Sequence, residues 1–142
     1  MAEVEFFVEG LPQPKGNIIR GRSGGYHDAN RQLKPWMKAI VAAAGEAEVQ
    51  PILTGPVSVR TLFYFPRPKY HFGTGRNADR LKATAPVMHT VKPDADKLMR
   101  AVLDALTGVA WTDDSQVAAW RGRKEYGTPG ALVTVARLAV TA

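Results

Sequence analysis

Pro93 and Gly108 bracket the stretch that constrains this chain most. A proline disfavours helical backbone at the residue before it, so a helix here starts at or after Pro93. Gly108 stands where a C-terminal cap belongs. Between them Leu98, Val102, Ala105 and Leu106 recur at helical spacing, with Met99 and Leu103 widening the stripe. The spacing predicts a helix from Asp94 to Thr107. Asp94 and Asp96 then lie at its N-terminus, where the helix dipole and free amides favour ionised carboxylates. After Gly108 come Trp111 and a second acidic pair, Asp113-Asp114.

These acids stand out against their surroundings. Lys92 to Gln116 holds five of the thirteen acidic residues of a chain whose net charge is +6. Carboxylates gathered ~5 Å apart repel by roughly 3 kcal/mol at an effective dielectric of ~20. A divalent cation reverses that sign. Residues two apart diverge in a helix but share a side in extended chain, so Asp94 must precede the first turn to share a metal with Asp96. Arg100 follows Asp96 by four and Asp104 follows Arg100 by four, which puts the three on one helix face. All-oxygen donors in a chain without cysteine suit Mg2+, with Mn2+ as a substitute, rather than zinc. The plainer alternatives are a helix cap with a solvated charge for Asp94 and Asp96, and a turn for Asp113-Asp114.

The motif resembles that of the RusA-type Holliday-junction resolvases, whose pattern is Pro-Asp-x-Asp-Asn-Leu, a Lys, Asp-Ala-Leu, a short turn and Asp-Asp-x-Gln. Here it stands as Pro93-Asp94-Ala95-Asp96-Lys97-Leu98, Arg100, Asp104-Ala105-Leu106 and Asp113-Asp114-Ser115-Gln116. Gly10-Leu11-Pro12-Gln13-Pro14-Lys15 is similar to the family's Gly-x-Pro-x-Pro-Lys loop, and Lys124 to its usual third-strand lysine. The resemblance implies a homodimeric, Mg2+-dependent endonuclease that nicks four-way DNA junctions in symmetric pairs. It implies metal ligation by Asp94, Asp96 and Asp114 with Asp113 adjacent, and a catalytic role for Arg100. The family's Asn is Lys97 here, and its helix Lys is Arg100. Arg keeps the charge and clamps phosphate bidentately, but does not give up its proton, so only an electrostatic role carries over.

At 142 residues the chain is long enough for one core, and a single domain over residues 1–142 is expected. No apolar run is long enough to span a membrane. The start, Met1 to Glu5, lacks the basic-then-apolar plan of a signal peptide, and there is no disulfide framework, so a cytoplasmic protein is expected.

In chain order, Val4–Glu9 reads as a first strand and Gly10–Asn30 as a Gly- and Pro-rich loop carrying Lys15, Arg20 and Arg22. Leu33, Trp36, Ile40, Val41 and Ala44 predict a helix over 31–47, with Trp36 in the core. Val57, Val59, Thr61, Phe63 and Phe65 share one parity of a second strand. From Pro66 to Lys92 no period is visible. That segment carries Arg67, Lys69, Arg76, Arg80, Lys82 and Lys92 with rings at Tyr70 and Phe72, and its only acid is Asp79. Charge for phosphates and rings for stacking make it a nucleic-acid strap, with a flexible basic loop as the alternative. Gln116–Tyr126 reads as a third strand. Leu132–Val140 reads as a fourth, paired with it across Gly127-Thr128-Pro129-Gly130 as a hairpin. The order β-α-β-α-β-β predicts a mixed four-stranded sheet with two packed helices, α+β or α/β.

The functional expectation is metal-assisted phosphodiester hydrolysis on branched DNA, in recombination and repair or in phage DNA processing. Asp94, Asp96, Asp113 and Asp114 hold the metal. Lys97 and Lys124 join the basic residues named above in contacting DNA, and Arg100 offsets charge developing on the phosphate. A basic DNA-binding protein descended from a resolvase, without cleavage, is the main rival. A nucleotide hydrolase is disfavoured because no Gly-rich phosphate loop precedes a helix.

Overall fold

The computed structural model describes residues 3–139. Its strands are β1 (Glu3–Glu9), β2 (Ile18–Arg20), β3 (Tyr26–Asp28), β4 (Val57–Phe65), β5 (Val117–Tyr126) and β6 (Gly130–Arg137), and its helices are α1 (Leu33–Glu46) and α2 (Ala95–Leu106). Four strands form one mixed sheet in the order β1-β6-β4-β5, and β2 pairs with β3 as a separate ribbon. Both helices pack on one face of the main sheet, giving the expected α+β domain.

The core follows from parity and helical spacing. Val57, Val59, Thr61, Phe63 and Phe65 of β4 are all buried. They meet Leu33, Trp36, Ile40 and Ala44 of α1 and Leu98, Met99, Val102 and Leu106 of α2. Each large apolar side chain taken out of water contributes roughly 1.5–3 kcal/mol. Close approach of α2 to β5 depends on Gly122, where a Cβ would come within 2.8 Å of Met99 Cγ.

The expected hairpin of the last two strands does not form. β5 runs parallel to β4, while β6 runs antiparallel to both β4 and β1, so β4 lies between the two. The reason is the crossover: the chain leaves β4, passes through the strap and α2, and returns parallel to β4 on its open flank. The turn after β5 then passes over the end of β4, where Gly127 N–H donates to the Phe65 carbonyl at 2.9 Å, and delivers β6 to the other flank.

Two smaller departures lie in the loops. Within the expected loop from Gly10 to Asn30, β2 and β3 form a short exposed ribbon. The Asp28 carboxylate closes its base by accepting from the Gly16 and Asn30 amides at 2.8–3.0 Å. The last strand ends at Arg137, and Val140 of the expected strand lies outside the described residues, as do Met1 and Ala2. Among the described residues no helix is long and apolar enough to cross a membrane.

Candidate functional site

Asp94 is the N-cap of α2 and has extended backbone, φ −71° and ψ 142°. It precedes the first turn, as sharing a ligand with Asp96 requires. Its side chain makes no capping hydrogen bond, and Asp94 and Asp96 are both exposed. Lys124, on β5, fixes the approach: its ammonium donates to the carbonyls of Val91 and Pro93 at 2.7 and 2.8 Å. Burial lowers the Lys124 pKa, and the nearby Asp94 charge opposes that shift.

A cleft of about 630 Å³ opens beside Asp94. Leu11 to Gly16 form one wall, Phe65, Pro66 and His89 another, and Lys92, Asp94 and Lys97 the rim. The Lys15 amide donates to the Lys97 carbonyl at 3.1 Å, and the Lys15 ammonium lies 3.2 Å from Asp104, so this loop is docked on α2.

The second acidic pair has different work. Asp113 caps a single 3-10 turn, Asp114–Gln116, and accepts from the Ser115 amide at 2.9 Å. Hydrogen bonding from the Ser115 amide, with the Ser115 hydroxyl adding to it, holds its pKa below the usual carboxylate value. Gln116 ties the turn down. Its side-chain oxygen accepts from the Thr112 and Asp113 amides, each at 2.9 Å, and its nitrogen donates to the Ile52 and Gly55 carbonyls at 3.0 and 3.1 Å. Asp114 is exposed beside it.

The two pairs sit at opposite ends of the molecule. The first lies beside Phe65 and Lys124, where β4 and β5 end. The second lies beside Ile52 and Gly55, before β4 begins. Helix α2 has twelve residues, which is ~18 Å at ~1.5 Å per residue. The rise from Val117 to Lys124 on β5 gives ~23 Å at ~3.3 Å per residue. Consistent with both lengths, no group of three or more His, Asp or Glu among the described residues is close enough to hold one metal ion.

The segment from Pro66 to Lys92 is pinned to the sheet. The His89 amide donates to the Lys124 carbonyl at 3.0 Å and the Tyr126 amide to the Val87 carbonyl at 3.2 Å. The buried His89 ring stacks on Phe65 with centroids 4.2 Å apart, and Tyr126 meets the His89 and His71 rings edge-on. Burial is the main cause that lowers both histidine pKa values, with Lys124 adding for His89 and Arg67 and Lys82 for His71. Sequence reading missed these pins. Each contact joins positions far apart in the chain, so no local pattern announces it.

The basic residues divide accordingly. Arg67 is spent internally: its guanidinium donates to the Pro86 carbonyl at 2.7 Å, lies 3.3 Å from His71 Nδ1 and covers the Tyr126 ring. Lys15 is engaged with Asp104. Lys69, Arg76, Arg80 and Lys82 are exposed along the strap, Arg20 and Arg22 on the β2–β3 ribbon, and Lys92 and Lys97 at the cleft. Arg100 is exposed on α2 between the two acidic pairs.

Residues 9–136 match the family described as Endodeoxyribonuclease RusA. The chain is also 31% identical over 128 residues to an uncharacterized protein of Bacillus subtilis (strain 168), YqaN, covering 87% of each chain. With a family match over nearly its whole length and the family's Asp-x-Asp at the cap of α2, the chain belongs to the RusA endodeoxyribonuclease family.

Proposed function

We propose that this protein is a Mg2+-dependent endodeoxyribonuclease that resolves four-way DNA junctions by paired nicks as a homodimer. The observation that carries the reading is the Asp94 carboxylate, free of any capping bond, at the mouth of a lysine-rimmed cleft, with Asp96 exposed two residues on. Its all-carboxylate donor set suits a hard divalent cation, and a cation there would supply charge neutralisation and Lewis-acid polarisation of the scissile phosphate.

The protein's own groups do the rest. Lys92 and Lys97 draw the phosphate backbone to the cleft, and the exposed bases of the strap extend that attraction along a DNA arm. Lys124 positions the approach to Asp94 through two backbone carbonyls. Arg100 offsets charge developing on the phosphate without proton transfer. Asp114 is a helix length from Asp94 within one chain. If both ligate one metal, Asp114 comes from the second subunit. Two such shared sites match the two equivalent strands of a junction.

The test is cleavage of a labelled four-way junction and the matching linear duplex, with Mg2+ and with EDTA. Symmetric nicks in the junction alone, lost with EDTA, are expected. Asp94→Asn should lower cleavage roughly 100-fold or more while junction binding persists, the scale of losing one preorganised electrostatic contact. Tight junction binding without cleavage in Mg2+ or Mn2+ would point instead to a non-catalytic DNA-binding relative, with Lys97 and Arg100 as the departures to revert.

A further inference from the structure

We infer that one DNA arm leaves the Asp94 cleft along a groove on the helix face, its phosphate backbone held by Arg31 and by Lys34 and Lys38 of α1. This rests on the nuclease reading and names a surface by which that site grips its substrate away from the cut.

Three hollows run into one another on this face. The wall of the Asp94 cleft includes Asn30, and Asn30 also lines a hollow of about 360 Å³ with His27, Arg31 and Lys34. Lys34 and Met37 in turn line a groove of about 480 Å³ between α1 and α2, shared with Lys38, Val41 and Asp104. Arg31, Lys34 and Lys38 follow one another at spacings of three and four, so they stand in one row. All three are exposed. Among the described residues none of them enters an ion pair. Two acids border the path, and both are engaged. Asp28 accepts from the Gly16 and Asn30 amides, and Asp104 pairs with Lys15 at 3.2 Å.

Charge selects the occupant. A row of unpaired cations draws a polyanion, and each phosphate it neutralises releases a counterion. The opposite face of the sheet offers no comparable row, since its Arg60 and Arg123 are paired with Glu3 and Glu125 at 3.2 and 2.8 Å. Lys15 fixes the spacing between cleft and groove: its amide bonds to the Lys97 carbonyl while its ammonium holds Asp104. Asp104 lies ten residues after Asp94 along α2, which is ~15 Å at ~1.5 Å per residue. At ~3.4 Å per base pair, the row meets the arm roughly four to five base pairs from the cut.

Two measurements test this. The first is junction affinity against salt. Lys34→Gln combined with Lys38→Gln, folded by circular dichroism, should bind a four-way junction about tenfold more weakly at 0.1 M salt. Its slope of log affinity against log salt should be shallower by about 1.8, at ~0.9 for each lost phosphate contact. The second uses the absence of cysteine from the chain. An iron chelate tethered at Val41→Cys, exposed in the groove and leaving both lysines in place, should break the bound DNA in one arm, roughly four to seven base pairs from the nicked phosphate. The same tether at Arg60→Cys, on the opposite face, is the control. An unchanged affinity or slope in the double variant, or strand breaks from Val41→Cys no stronger than from the control, overturns the groove as a DNA path while the nuclease reading stands. A wild-type protein that neither binds nor cuts the junction overturns both.

Discussion

The two ends of α2 carry the same chemistry to different purposes. At the N-terminal end, Asp94 makes no capping bond and stands at a cleft rimmed by Lys92 and Lys97, with Asp96 exposed two residues on. Beyond the other end, Asp113 is committed to the Ser115 amide, and Gln116 bonds the turn to the backbone before β4. The first pair stays available for a ligand. In the second pair one carboxylate builds the turn so that the other, Asp114, is held out from it. Adjacent acids in a motif are therefore not equivalent ligands, and a capped carboxylate does its work as architecture.

The largest effect expected from this contrast comes from mixing two inactive proteins. Asp94→Asn and Asp114→Asn should each lower junction cleavage by roughly 100-fold or more. Mixed and allowed to exchange subunits, half of the dimers are heterodimers. Each heterodimer holds one intact site, made from Asp94 of one chain and Asp114 of the other. About a quarter of the sites should recover, and each heterodimer should nick one strand rather than two, as read on a denaturing gel. No recovery in a mixture shown by mass to contain heterodimers would mean that each metal is held within one chain.

The contrast was only partly visible in the sequence. The helix expected between Pro93 and Gly108, Asp94 to Thr107, matches α2 to within a residue at each end, because both markers act through local backbone sterics. Alternation marks β4, because every second residue from Val57 to Phe65 enters the core. The separation of the acidic pairs was available as arithmetic. A short turn after a twelve-residue helix sends the next strand back alongside it, so the residues before and after the helix end far apart. Other features had no local sign. The choice of β4 rather than β5 as the neighbour of β6 depends on the crossover, and the stacking of His89 on Phe65 joins residues 24 positions apart. The β2–β3 ribbon is exposed except at half-buried Asp28, so burial leaves no pattern in it.

A smaller effect separates structure from chemistry within the second pair. Gln116→Ala removes four hydrogen bonds that hold the 3-10 turn. At ~0.5–1.5 kcal/mol each, discounted because the amides at Thr112 and Asp113 regain water, the loss should be about 2–3 kcal/mol. Asp113→Ala removes a cap and should lower the urea midpoint by less than Gln116→Ala does. Asp114→Asn, with no such role, should leave the urea midpoint within error of wild type. A midpoint for Asp114→Asn as low as that for Gln116→Ala would erase the division of labour between the neighbours.

Acid should loosen the two regions in separate windows, with the smallest change in each. The His71 and His89 pKa values are lowered in the folded chain, mainly by burial. Below the ordinary histidine value of ~6.5 the unfolded strap binds more protons than the folded one, so its stability is complete above that pH and falls as acid approaches the lowered folded values. The Asp113 pKa is also lowered, but from a carboxylate value, so the contribution of its turn persists until pH drops below ~4. Hydrogen exchange should therefore show amides bonded to the strap, such as those of His89 and Tyr126, losing protection between pH 7 and 5 while those of Ser115 and Gln116 keep theirs. Replacing both histidines by Phe keeps rings on Phe65 and Tyr126 but removes the protonation, and should flatten the first window alone. If both regions opened together in the wild type, the strap and the turn would be one cooperative unit, and the approach to Asp94 would not be independently adjustable.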